Sequence, residues 1–348
     1  MINDKPLKPG QYTREEIFSQ PEAWLDALEV LKSHTANIQA AYNERSYAQV
    51  IFTGCGSTYY LALAAAALFQ ELSGQAARAL PASELWLYPQ SSYPKSGQVL
   101  LVAISRSGET TETLHACESF LSKKLGQLVT LSCYGEKALA GLGRLNLVLP
   151  SGQENSVAQT RAFSTLYLAA TALASIWAGQ QDRLAELVKL PKAGRRLLAD
   201  LPGLAHDLGT DRSLERFYFL GSGPRYGLAC ELSLKMKEMS LSHSEPFHFL
   251  EFRHGPQSMT TPETLMVGLL SEVNRQRELA VLDEMRQRGA KILTISETNT
   301  EVAFASGISE AMRNVLYLPI GQLLAFERSL DRGLNPDQPH NLTAVVHL

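Results

Sequence analysis

Three stretches of this 348-residue chain carry residue types that could hold an anion or move a proton. The first is Ser105-Arg106-Ser107-Gly108-Glu109-Thr110, three hydroxyls and a cation around one glycine. The second is Gly54-Cys55-Gly56-Ser57-Thr58, a glycine loop ending in two hydroxyls. Small residues let the backbone approach an anion, and hydroxyls donate to it. A helix that follows adds unpaired N–H groups and the positive end of its dipole. A phosphate monoester suits such loops. Gly-x-Gly by itself also marks an ordinary strand-to-helix turn, and Tyr59 stands where a dinucleotide fingerprint has its third glycine. The third stretch holds Glu231, Lys235 and Glu238, which fall on one helix face at i, i+4 and i+7. From spacing alone this is the pattern of a solvated Glu–Lys surface pair. His254, like His243 and His248 before it, is of a type that is often structural but can carry a proton near neutrality.

The elements that must position these residues repeat along the chain. Phe52-Thr53-Gly54-Cys55-Gly56 is echoed by Phe219-Leu220-Gly221-Ser222-Gly223, with a tyrosine and a Leu-Ala pair following in both copies. Val99 to Ser105 is answered by Met266 to Ser271, Leu128 to Ser132 by Ile292 to Ser296, and Leu147 to Pro150 by Leu316 to Pro319. Each piece is a short apolar run, as strands buried on both faces of a parallel sheet read. Helical patterns lie between them, over Tyr60 to Leu72, Thr111 to Leu125, Leu228 to Ser242 and Arg275 to Arg288. Strand alternating with helix predicts two tandem α/β units, each a doubly wound parallel sheet. The expected division is a helical extension over 1–45, a first unit over 46–190, a second over 191–332 and a tail over 333–348. A helical stretch from Thr160 to Leu190 and a turn at Pro191 join the units. Thr13 and Glu16 have capping-box spacing ahead of Ile17, Trp24, Leu25 and Leu28.

Composition narrows the function. With 45% hydrophobic and 19% charged residues the chain reads as globular. A net charge of -3 offers no field to attract nucleic acid. The four cysteines form no C-x-x-C pair and have no histidine at metal-ligand spacing, so neither a metal nor a cofactor is expected, and a reduced compartment is. The opening Met1-Ile2-Asn3-Asp4-Lys5 shows no apolar leader, and the apolar run Leu61 to Leu68 is far short of the roughly 20 residues that span a bilayer. The expected location is the cytoplasm, with no membrane partner.

Ser105 to Thr110 resembles the S-x-S-G-E/N-T signature of sugar isomerase (SIS) domains, and the duplication resembles the isomerase half of glucosamine-6-phosphate synthase and stand-alone double-SIS proteins. Glu16-Ile17-Phe18-Ser19-Gln20-Pro21 is similar to the family's opening E-I-x-x-Q-P, and Asn335-Pro336-Asp337-Gln338-Pro339-His340-Asn341-Leu342 to its closing segment. The resemblance implies that Ser105, Arg106, Ser107 and Thr110 hold a sugar phosphate, helped by Ser57 and Thr58, with Gly56, Val157 and Gln159 near the sugar. It also implies that Glu238 is the enolisation base, that Glu231 and Lys235 orient it, and that His254 opens the ring. In relatives this histidine comes from the partner subunit, so a homodimer is expected. No glutaminase unit is read ahead of the first repeat in this sequence, and glutamine-driven synthesis by this chain alone is not expected.

The implied reaction is conversion of an aminosugar 6-phosphate to a ketose 6-phosphate and ammonia. Fructosamine-6-phosphate deglycation and simple ketose-aldose isomerisation are alternatives. A phosphosugar-binding regulatory protein is another, although no basic N-terminal segment reads as a helix-turn-helix. One departure stands out: Thr343 and Ala344 follow Leu342, where relatives often carry a lysine. Its amine is missing, and His340 and Arg332 are the candidates to compensate for it.

Overall fold

In the computed structural model, which describes residues 8–346, the apolar runs form two five-stranded, all-parallel sheets. The opening five residues lie outside the described part. The first unit runs α1 (Gln11–Phe18), α2 (Gln20–Asn43), β1 (Gln49–Gly54), α3 (Ser57–Ser73), β2 (Ala77–Pro81), α4 (Ala82–Leu87), α5 (Pro89–Ser92), β3 (Val99–Ser105), α6 (Thr111–Ser122), β4 (Gly126–Ser132), β5 (Leu145–Val148) and α7 (Arg161–Trp177). Then come α8 (Leu184–Leu187), α9 (Leu190–Asp200), α10 (Pro202–Gly209), β6 (Arg216–Leu220), α11 (Pro224–Ser240) and β7 (His243–Phe247). The chain continues through β8 (Thr264–Leu269), α12 (Arg275–Gln287), β9 (Lys291–Ser296), β10 (Val302–Ala303) and α13 (Leu318–Asp331).

Strand order is β2-β1-β3-β4-β5 in one sheet and β10-β9-β8-β6-β7 in the other, so each strand of one has a counterpart in the other. This is the doubly wound α/β class that the repeat predicts. Central strands β3 and β8 are buried along their whole length, which explains their unbroken apolar sequences. No helix among the described residues is long and apolar enough to cross a membrane.

Several local expectations are corrected. Leu316 and Tyr317 form a 3-10 turn entering α13, and the true counterpart of β5 is the two-residue β10. A four-residue apolar run cannot by itself separate a strand from a buried helix start. Pro191 lies in the first turn of α9, where its missing N–H costs nothing, so it opens a helix and makes no turn. The helix expected over 160–190 ends at Trp177. Thr13 is inside α1 and caps nothing locally: its N–H and hydroxyl donate to Asp337 Oδ1 at 2.8 and 2.7 Å. Strands β2 and β7 escaped notice because they are half-exposed edges, each containing a proline that an edge tolerates.

One apolar cluster spans both units, from Trp24 and Phe163 to Phe219, Leu232 and Leu324. Helices α3 and α11 cross at its centre. A Cβ on Gly227 would lie 2.4 Å from the Tyr60 carbonyl oxygen and 2.5 Å from the Ala64 nitrogen, both backbone atoms that cannot swing away. We expect Gly227→Val to prise the two helices apart at a cost of roughly 1–3 kcal/mol. Thermal melting checks this; an unchanged Tm would show that the crossing tolerates the side chain.

Candidate functional site

Adjacent parallel strands β1 and β3 pair Thr53 with Ala103, so the loops after them lie side by side at the carboxyl edge of the sheet. Such edges are where open α/β sheets take ligands. Gly56 has φ 54° and ψ -122°, a region open only to glycine, and a Cβ there would meet nothing within 4 Å. The loop is therefore built with its backbone bare toward open space.

In the neighbouring loop the side chains brace their own backbone. Ser105 Oγ accepts from the Gly108 N–H at 3.1 Å and Ser107 Oγ from the Glu109 N–H at 3.2 Å. Thr110 Oγ1 lies 3.3 Å from Ser105 Oγ and 3.5 Å from Ser107 Oγ. Three hydroxyls thus converge just before α6. Arg106 points elsewhere. Its guanidinium donates to the carbonyls of Ser156 (3.2 Å), Val157 (2.9 Å) and Ala344 (2.9 Å) and pairs with Glu154 at 3.6 Å.

The Glu231–Lys235–Glu238 face is not a solvated pair. Glu231 and Lys235 are wholly buried, and only Glu238 keeps 19% of its side chain exposed. Lys235 Nζ lies 2.5 Å from Glu238 Oε2 and 3.3 Å from Glu231 Oε1, and donates to Ser57 Oγ at 3.2 Å. Ser57 Oγ in turn donates to Glu231 Oε1 at 3.2 Å. Burial pushes the Glu231 carboxyl up to about 8, against the pull of Lys235. Burial also pulls the Lys235 ammonium down, but the two carboxylates outweigh it and hold it above its usual range. Glu238 is left as the carboxylate of the trio facing the open side.

The structure divides the other expected site residues. Ser57 joins the carboxylates of the second unit. Thr58 exchanges hydrogen bonds with Cys55, accepting from its N–H and donating to its carbonyl, both at 3.0 Å, which locks the turn. Val157 is fixed through its backbone, its N–H donating to the Asp337 carbonyl at 3.0 Å. Gln159 keeps a buried Oε1 with no hydrogen bond among the described residues. His254 is exposed in a short 3-10 turn, its ring without a hydrogen bond among the described residues and not joined to the Glu238 cluster of its own chain.

Three acids that hold the wall formed by residues 154–160 had no assigned part. Glu16 Oε1 accepts from the N–H groups of Asn155 (2.6 Å) and Ser156 (3.2 Å). Glu154 Oε1 accepts from the Thr160 N–H and hydroxyl at 2.8 and 3.0 Å. Asp337 ties α1 to the tail. Two of them lie in the opening and closing motifs quoted above, which was the available signal. The tail then passes over the hydroxyl loop, where Val346 O accepts from the Thr111 N–H at 3.5 Å.

This arrangement of two sheets with a hydroxyl loop at one edge matches a known family. The SIS domain matches residues 45–176 and again 212–319, and the chain belongs to that family. Among relatives, the glutamine--fructose-6-phosphate aminotransferase (isomerizing) of Bordetella parapertussis is 28% identical over 96% of this chain; the chain spans 58% of its length. The structure of a glucosamine-6-phosphate deaminase from Thermotoga maritima superposes with TM-score 0.79 at 26% identity, covering 97% of this chain and 100% of the other. Tagatose-6-phosphate ketose/aldose isomerase from Escherichia coli shares the fold, with TM-score 0.86 at 23% identity over 98% of both chains.

The burial of Glu231 has a consequence for stability. A carboxyl protonated in the folded chain but ionised when unfolded makes the folded state bind the extra proton, so stability falls as pH rises between the two ionisations. For Glu231 that window runs from the ordinary value of 4.5 to about 8. Glu231→Gln fixes the neutral form. We expect the wild-type Tm to fall relative to the variant across this window, and parallel curves in melts at successive pH values would refute it.

Proposed function

We propose that this chain is an enzyme that enolises the open-chain form of a sugar 6-phosphate, foremost an aminosugar 6-phosphate, giving a ketose 6-phosphate and ammonia. The observation that carries the reading is the buried Glu231–Lys235–Glu238 trio, linked through Ser57 to the loops at the edge of the first sheet. The hydroxyls of Ser105, Ser107 and Thr110 take the phosphate with the N–H groups at the start of α6, and the sugar lies toward Gly56 and Gln159. Once the ring is open, Glu238 removes the proton from C2 and returns it to C1. With an amine on C2 the product is a ketose imine, which water splits into ketose and ammonia. Lys235 holds Glu238 in place through its ammonium. Ala344 supplies no amine, so the sugar carbonyl is not taken up by the tail as a Schiff base.

The family membership and the 26%-identical deaminase support this reading. The test is incubation with glucosamine 6-phosphate and assay of ammonia and fructose 6-phosphate. Glu238→Gln is expected to lower kcat by roughly 10²–10⁴-fold while phosphosugar binding persists. Binding without product from the wild type, across a panel of aminosugar and ketose 6-phosphates, would favour a regulatory protein instead.

His254 is exposed and apart from the Glu238 cluster of its own chain, which fits ring opening in a partner's site within a homodimer. Glu238→Gln and His254→Asn chains should then each be inactive. Mixed by unfolding and refolding together, they should regain about a quarter of the wild-type sites, since half the dimers are hybrid and each hybrid holds one intact site. An active His254→Asn chain would place His254 outside the reaction, and mixtures with no regained activity would place it in the site of its own chain.

A further inference from the structure

The second unit carries a cavity of its own at the matching sheet edge. Strands β6 and β8 are neighbours, as β1 and β3 are, and the loops after them stand where the glycine and hydroxyl loops stand in the first unit. Gly223 repeats the conformation of Gly56 (φ 59°, ψ -136°) and likewise faces open space. Between the loops lies a cavity of about 280 Å³ whose wall includes Glu71, Ser222, Arg225, Asn274, Glu310 and Asn314. The offset that sets Phe52 on Phe219 also sets Glu71 on Glu238. Helix α3 therefore lends a carboxylate to this cavity as α11 lends one to the other.

The chemistry has changed. In place of three hydroxyls stands Ser271-Glu272-Val273-Asn274 with one, which braces its loop through the Asn274 N–H at 2.9 Å as Ser105 does through Gly108. Arg225 is matched by Glu310 at 2.6 Å, and Glu272 by Arg313 at 2.7 Å. Glu71 feels Arg225, Glu310 and Arg183 but has no ion pair or hydrogen bond of its own among the described residues. Among the residues lining the cavity the unpaired charge is the Glu71 carboxylate, which repels phosphate and attracts an ammonium group. Two further groups lack partners. Arg225 is 7% exposed, and its Nε donates to nothing. Asn314 is 1% exposed with an Oδ1 that completes no hydrogen bond, although the Tyr167 hydroxyl is close enough to influence it. At the rim Val273 is 87% exposed, an apolar surface for the face of a ring. The volume is near the lower limit for ligand pockets, roughly 300 Å³, and suits one monosaccharide.

We propose that this cavity binds an unphosphorylated amino sugar, its ammonium on Glu71 and its hydroxyls on the polar side chains of Ser222, Asn274 and Glu310 that line it. The inference does not depend on the reaction at the first site. The experiment is calorimetric titration of the whole chain with D-glucosamine, the first site being saturated with D-glucitol 6-phosphate, which has no carbonyl to enolise. Saturable binding of one glucosamine per chain is expected, weakened at least about tenfold in Glu71→Gln and in Val273→Arg, and unaffected by Glu238→Gln. Both substituted side chains are exposed, and melting curves check that the variants fold. N-acetylglucosamine, which lacks the ammonium, should bind at least about tenfold more weakly than glucosamine. Absence of saturable binding to the wild type would overturn the proposal. So would binding that Glu238→Gln abolishes and Glu71→Gln leaves intact.

Discussion

A lysine with no exposed surface cannot stay charged without compensation, and the molecule is arranged around supplying it to Lys235. Two carboxylates on its own helix and one serine from the other unit surround the amine. Removing one member of such a group leaves a buried charge unpaired, which is far costlier than losing a surface contact. The serine opens α3 and the lysine sits in α11, so the charge is satisfied only while the two helices cross at their present distance. Gly227 permits that approach. The pairing of the two units and the charge on Lys235 are thus one constraint seen from two sides.

The duplication explains why a site can lie between units that are alike. Each sheet presents its loops at one edge, and each central helix reaches across to the loops of the other unit. The two copies differ in their second loops: one has three hydroxyls before α6, while the other has Glu272, Val273 and Asn274. Charge follows the same division, with a hydroxyl loop open to an anion on one side and an unmatched carboxylate on the other.

Much of this was legible in the sequence, for reasons that differ by element. The inner strands could be read because burial on both faces leaves no room for polar residues, as in Val99 to Ser105. Edges β2 and β7 could not, since half-exposed strands with prolines look like loops. The hydroxyl loop was legible because its residues are contiguous. The wall formed by Glu16, Glu154 and Asp337 was not: Asp337 meets Thr13 across 324 positions of chain, and no local pattern encodes such a contact. Spacing placed Glu231, Lys235 and Glu238 on one face, but only the fold shows that the face is buried.

The tail crosses the hydroxyl loop by offering Arg106 a carbonyl oxygen from Ala344. Every amino acid carries that oxygen. The latch is therefore indifferent to which side chain occupies position 344, and substitution there can reshape what stands over the loop without unfastening the segment. Holding and selecting are divided between backbone and side chain, which leaves this short stretch free to diverge while the rest of the site stays fixed.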